Sequence, residues 1–274
     1  MTDESPSEQT RRFNSAWLAP SVSYPIIIFV VVMVAWEAAS REGIFPPYLV
    51  PAPSVILARA IDTADLMLGH ALVTSWEIVL GFLLAVWIGV LFAAAITFIR
   101  PVEQAIYPWL VVIQVLPKVA LGPVLIVWLG LGLLPKILIS FMLAFFPITI
   151  NTMAGLKSVH RDSLFLLRSM GAGPIKTFRF LQLPNALPNL FSALKVAITL
   201  ATVGAIVGEF IGADTGLGYV LILANGNLDT SLMFVALLWI TAIALLFYAV
   251  IGVLEKLVIH WHVSARHDQS GASY

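Results

Sequence analysis

Residues 76–99 read WEIVLGFLLAVWIGVLFAAAITFI, a run whose one charge, Glu77, lies at its edge. A helix rises 1.5 Å per residue, so a run of this length covers the ~30 Å hydrocarbon core of a bilayer. A membrane β-strand would instead alternate polar and apolar positions over about ten residues. Working outward, stretches near 24–40, 106–132, 135–155, 190–212 and 232–258 meet the same requirement. The pattern predicts an all-α, polytopic membrane protein with six spans. Composition agrees: 60% of the 274 residues are hydrophobic, 11% are charged, and mean hydropathy is +0.97. A soluble domain carries roughly 25% charged residues, so a water-soluble enzyme is disfavoured. With 15 basic and 15 acidic residues there is no polybasic field, and nucleic acid is not expected as a partner. Absence of cysteine removes disulfides, thiolate metal sites and cysteine nucleophiles.

Six spans put both termini on one side. That side would hold Arg11, Arg12, Arg100, Lys157, Arg161, Arg168, Lys176, Arg179, Lys256 and Arg266, against Arg41, Arg59 and Lys136 on the other. The basic excess assigns the first group to the cytoplasm. The expected organisation is a cytoplasmic tail (1–23), a first anchor (24–40), an outer loop (41–69), a main membrane domain (70–260) and a cytoplasmic tail (261–274). The first span lacks a basic head and a small-residue cleavage site, so it reads as a retained anchor rather than a signal peptide. Within the outer loop, Pro46-Pro47 and Pro51-Ala-Pro53 are followed by an amphipathic helix near 54–68, and 213–231 reads as a second outer loop rich in Gly, Asp and Asn.

Lipid tails are as apolar as leucine, so helices in a bilayer associate through close packing. Gly81, Ala85, Gly89 and Ala93 give the second span a smooth face; Ala193, Ala197, Ala201 and Ala205, flanked by Gly204 and Gly208, do the same for the fifth. Pro117, Gly122 and Pro123 interrupt the third span, with Lys118 between them, so this helix should kink or break. Broken backbone at membrane depth needs protein or a water-filled path to satisfy it. Pro117, Lys118 and Pro123 are therefore candidate pathway residues, as is Glu209 near the outer end of the fifth span. Pro147 predicts a kink in the fourth span. Glu37 and Glu77 sit near span ends, where snorkelling accounts for them, and Lys195 is expected to reach the inner interface.

Catalytic chemistry is missing. His70, His160, His260, His262 and His267 complete no zinc pattern, and no HExxH or GxSxG occurs. Gly171-Ala-Gly173-Pro-Ile-Lys176-Thr177 has Ile175 where a phosphate loop needs glycine before its lysine. No cofactor is expected, and the chain is read as a non-enzyme.

The longest polar stretch between spans, 156–189, contains Phe165-Leu166-Leu167-Arg168-Ser-Met-Gly171-Ala172, then Leu181-Gln-Leu183-Pro184. A short helix over 159–170 is expected to end near Gly171, which can supply a left-handed cap, with a second over 175–182 stopped at Pro184. The segment resembles the signature loop of permease subunits of bacterial binding-protein-dependent ABC importers: Glu-Ala-Ala, three residues, Gly, nine residues, Ile-x-Leu-Pro. Gly171, Leu181, Leu183 and Pro184 fall on that spacing, while Phe165, Leu166 and Leu167 replace the Glu-Ala-Ala opening. The likeness extends over Pro51-Ala-Pro53-Ser54-Val55, Val127-Trp-Leu-Gly130, Phe145-Phe-Pro-Ile-Thr-Ile-Asn151 and Gly208-Glu209-Phe-Ile-Gly212 to Gly216-Leu-Gly218-Tyr219. Together these resemble the branch serving nitrate, taurine, alkanesulfonates and thiamine or riboflavin precursors. The Gly208–Gly212 and Leu228-Asp-Thr230 stretches are most similar to the thiamine-pyrimidine-precursor and riboflavin permeases.

That resemblance implies a type I importer transmembrane domain that dimerises, binds two cytoplasmic ATPase subunits through 156–185, and receives a small nutrient from an external binding protein. Phe165, Leu166, Leu167, Arg168, Gly171, Ala172, Leu181, Leu183 and Pro184 would form the coupling surface. An ATP-independent transporter or channel is the alternative; it would be expected to carry paired intramembrane acids or a polar stripe.

Overall fold

A computed structural model describes residues 20–44, 46 and 48–259. Most of the N-terminal tail, the tail 261–274 and the histidines at 260, 262 and 267 lie outside the described residues. Eleven helices are seen among them: α1 (Pro20–Arg41), α2 (Pro53–Asp62), α3 (Ala64–Phe98), α4 (Arg100–Val115), α5 (Gly122–Leu129), α6 (Leu133–Lys157), α7 (Arg161–Ser169), α8 (Pro174–Thr177), α9 (Leu183–Gly212), α10 (Leu217–Gly226) and α11 (Thr230–Val258). No strand occurs among the described residues. Among the described residues five helical segments are long and apolar enough to cross a bilayer, or six if α4 and the Lys118–Leu129 segment together count as one broken span.

Several elements differ from the sequence reading. The third span is not one helix over 106–132 but two arms meeting at 86°. Leu116, preceding a proline, is pushed into extended backbone (ψ 136°) and ends α4. A 3-10 turn over Lys118–Leu121 follows, and Pro123 then starts α5 in the first turn, where its missing N–H costs nothing. The outer-loop helix ends at Asp62, and residues from Ala64 onward belong to the long α3. The 213–231 loop contains α10. Pro184 does not stop a helix. A π-turn over Phe178–Gln182, closed by Leu183 N–H donating to Phe178 O, joins α8 to α9; the wider turn accommodates the proline ring. Pro147 sits within an uninterrupted α6.

One compact unit comprises the described residues to Thr63 with Ala224–Val235. Here the carboxylate of Glu37 accepts from Ser54 N–H (3.0 Å) and Ser54 Oγ (2.6 Å) at the start of α2, and from Arg41 Nε (2.6 Å). Glu37 is thus a helix-capping anion rather than only a snorkelling one. Arg59 Nη2 pairs with Asp229 Oδ2 at 2.8 Å. On α1, Ile26 to Val32 are each more than half exposed, as suits a helix bathed in lipid.

The other unit comprises Ala64–Leu223 and the chain from Ala236. Its centre is α6, which packs against both α3 and α9. The two smooth faces expected from sequence both meet this helix. A Cβ added at Gly81 would lie 2.5 Å from Ser140 Oγ, and one at Gly204 would lie 2.5 Å from Ser140 Cα. Ser140 Oγ in turn donates to Ala201 O across the α6–α9 contact (2.9 Å). Ala85, Ala93, Ala197, Ala201 and Ala205 are fully buried along these seams.

Gly204→Val should therefore destabilise the protein by about 1–3 kcal/mol or more through overpacking against α6 backbone. Gly69→Ala, at an exposed position inside α3 whose new Cβ meets nothing within 4 Å, should instead stabilise by up to about 1 kcal/mol. Detergent unfolding followed by tryptophan fluorescence checks both.

Candidate functional site

Two places in the larger unit combine polar groups with unusual backbone. The first lies where α3, α6 and α9 approach the turn into α10. Glu209 is 1% exposed and Glu77 fully buried. Thr74 Oγ1 donates to Glu209 Oε1 (2.6 Å) and accepts from Leu217 N–H (2.9 Å). Gly218 N–H donates to Glu209 Oε2 (2.5 Å), and Gly216 N–H donates to His70 Nδ1 (3.0 Å). Three successive amides at the start of α10 thus find acceptors on α3 and α9, satisfying donors that a helix start leaves open.

Glycine is required here for two reasons. Gly216 has φ +112°, and a Cβ on it would come within 2.0 Å of Glu209 Oε1; one on Gly218 would come within 2.7 Å of Oε2. The Gly216-Leu-Gly218 spacing therefore reads as the imprint of a carboxylate pressed against the backbone.

Lys136 Nζ donates to Glu77 Oε1 at 2.8 Å, and Lys136 is 5% exposed. Neither is an interfacial charge: Glu77 does not snorkel, and Lys136 is no outer-loop cation, because each is held by the other inside the helix contact. The signal that could have found this was Lys136 lying among apolar residues in a predicted span, where a lone ammonium is costly. A cavity of about 330 Å³ lined by Leu131, Gly132, Lys136, Gly212, Ala213 and Asp214 reaches this cluster. Lys195, expected at the inner interface, is bonded to Glu255 of α11, its ammonium 5.9 Å from the Tyr248 ring centre.

Of the other pathway candidates, Pro117 and Pro123 are exposed and Lys118 is half-buried. Lys118 Nζ donates to Gln114 O (2.9 Å), an acceptor near the break, and sits 4.5 Å over the Phe146 ring. The structure does not bring these residues into the polar contacts around Glu209.

The second place is the segment between α6 and α9. Helix α7 has Asp162 in its first turn and Arg168 in its last, both favourable to its dipole. It closes as expected at Gly171 (φ +77°): Gly171 N–H donates to Arg168 O (2.9 Å) and Ala172 N–H to Leu167 O (3.0 Å), the paired bonds of a Schellman cap. Phe165, Leu166, Met170, Ile175 and Phe180 are each more than 60% exposed, whereas Leu181, Leu183 and Pro184 are half-buried. The segment is not loose. Asn185 Nδ2 donates to Ser158 Oγ (2.7 Å) at the end of α6, and Phe178 meets Phe98 of α3 edge-on at 5.3 Å. The segment thus presents large exposed apolar side chains while being tied to three spans.

Residues 81–261 match the model of the binding-protein-dependent transport system inner membrane component family. The chain belongs to this family. Among curated relatives, the formylaminopyrimidine transport permease ThiX of Halalkalibacterium halodurans is 36% identical, over 86% of this chain and 95% of its own length. The riboflavin transport system permease RibX of Chloroflexus aurantiacus is 34% identical, over 89% and 92%. The taurine permease TauC of Escherichia coli is 25% identical, over 92% and 95%. In fold, the chain is similar to a chain of the inward-facing MetNI methionine ABC transporter, with TM-score 0.62 and 17% identity, over 72% of this chain and 98% of that one. This ABC permease is thus a multi-pass membrane subunit with the type I importer transmembrane fold.

Gly216→Ala in the permease should lower stability by about 2 kcal/mol or more, because strained backbone and a clash with Glu209 add. Gly171→Ala should cost about 1 kcal/mol through φ alone, since no neighbour obstructs its Cβ. Unfolding of the two variants side by side checks the ranking.

Proposed function

We propose that this permease forms the translocation path of an ATP-driven importer for a small heteroaromatic nutrient, a thiamine pyrimidine precursor or flavin-like compound. The observation that carries the cargo class is the ranking of relatives: 36% and 34% identity to the formylaminopyrimidine and riboflavin permeases, against 24–26% for taurine and aliphatic-sulfonate permeases. Nitrate, taurine or alkanesulfonates are the second reading. Two copies of the permease pair in the membrane, with a transport domain over 70–260. Two cytoplasmic ATPase subunits, where ATP is hydrolysed, grip them from below, and an external binding protein delivers cargo from above. The excess of basic residues supports cytoplasmic termini and a cytoplasmic 156–185 segment.

The elbow of α7, α8 and the π-turn is the coupling surface. Phe165, Leu166 and Leu167 occupy the positions where the family pattern has its acidic opening, so apolar docking replaces the charge contact there. Arg168 and the Gly171-Ala172 cap shape the elbow, and Leu181, Leu183 and Pro184 lead its motion into α9. ATP binding can shift the bundle between inward- and outward-open states only through different affinities for the two. Pro117, Lys118 and Pro123 at the 86° break, with Glu209, are the residues proposed to line or gate the path.

Replacing Phe165 and Leu166 together by Asp should weaken ATPase association by about tenfold or more, since each large apolar side chain contributes about 1.5 kcal/mol or more when buried. Co-purification and vesicle-coupled ATP hydrolysis measure this, and deletion of 159–182 should abolish association. Hydrolysis by the reconstituted complex, with binding protein, should rise with pyrimidines or flavins and not with sulfonates. Uphill uptake without nucleotide would overturn the importer reading.

A further inference from the structure

Helix α2 is fastened along its length to the ends of two membrane spans. At its start, Ser54 N–H and Oγ–H donate to the carboxylate of Glu37, one turn before α1 ends at Arg41. Further along, Arg59 Nη2 donates to Asp229 Oδ2 at 2.8 Å. Asp229 Oδ1 also accepts from Leu232 N–H (3.0 Å), so the same carboxylate caps the start of α11. These two span ends lie side by side, because the Trp36 ring of α1 meets the Phe234 ring of α11 with centres 5.6 Å apart. Thr230 Oγ1, donating to Tyr48 O, closes the same corner. Helix α1 is exposed from Tyr24 to Val32 and becomes buried at Ser40, whose hydroxyl donates to Val50 O just before α2.

A ten-residue helix is about 15 Å long. Held at both points at the level where two spans leave the hydrocarbon, it runs along the membrane surface. Its faces are unequal. Ile56 is buried, Arg59 is turned to Asp229, and Asp62 is exposed. Leu57 and Ile61, four residues apart and so neighbours on one flank, are 64% and 71% exposed. Two large apolar side chains standing together are unfavourable in water, and the lipid that bathes α1 begins at the same level. We infer that α2 is an interfacial helix, with Leu57 and Ile61 dipped into the acyl-chain boundary of the leaflet in which α1 ends. Its polar ties set the depth: Glu37 and Asp229 hold Ser54 and Arg59 at headgroup level, and the apolar flank reaches down from there. The partner of this flank is the lipid surface.

The chain has no cysteine, so a single introduced one carries a nitroxide label at a chosen place. Leu57→Cys, Ile61→Cys and Asp62→Cys, with Val30→Cys on α1 as the lipid reference, are labelled in the full-length permease in phosphatidylcholine nanodiscs. Power saturation compares collisions with oxygen, which concentrates in lipid, and with a water-soluble nickel chelate. The oxygen-to-nickel ratio in Leu57→Cys and Ile61→Cys should exceed that in Asp62→Cys by about threefold or more, approaching the Val30→Cys value. A smaller difference would overturn the inference, because the flank then faces water. A label in Leu57→Cys or Ile61→Cys that is shut off from both probes would overturn it as well, because protein, a second copy or another chain, then covers the flank.

Discussion

Ser140 is approached from two sides by helices that have no side chain at the point of contact. Gly81 of α3 and Gly204 of α9 press their backbones against it, and Gly208 does the same at Lys136, one turn earlier on α6. In lipid there is no hydrophobic gain from bringing one apolar helix to another, so association rests on how closely backbones can approach. The contacts in the larger unit follow from that closeness. The gap at Ser140 is narrow enough for its hydroxyl to reach a carbonyl of α9, and on the α3 side of α6 the Lys136 ammonium reaches Glu77.

The same proximity explains why a membrane protein keeps three charged residues in its interior. Lys136, Glu77 and Glu209 come from three helices, and each would be expensive alone. Lys136 pairs with Glu77, while Glu209 accepts from Thr74 and Gly218 and so ties the N-terminus of α10 to α3 and α9. Removing one partner from such a set leaves a buried group unpaired, which is the costly event. The elbow is fastened to α6 by Asn185 and to α3 by Phe178.

The helical class, the number of spans, the small-residue faces and the Gly171 cap were legible in the sequence, because each is a local property. A continuous apolar run, a four-residue period of small side chains and a glycine after an amphipathic stretch carry their own physical meaning. The break at Pro117 was legible as a break but not as an 86° turn, since proline removes a hydrogen bond without specifying where the next segment goes. Pro184 misled for the same reason: the π-turn over Phe178–Gln182 could absorb it, and π-turns have no strong sequence signature.

The sequence by itself determined that this chain lives in a bilayer as a helical bundle and belongs with importer permeases. The first follows from composition and the length of the apolar runs, the second from the likeness of its motifs to those of a known family. Only the tertiary structure decided which charges are partners. Glu77 and Lys136 are 59 residues apart and Thr74 and Glu209 are 135 apart. No local pattern links them, because their pairing is set by how three helices pack rather than by anything within one.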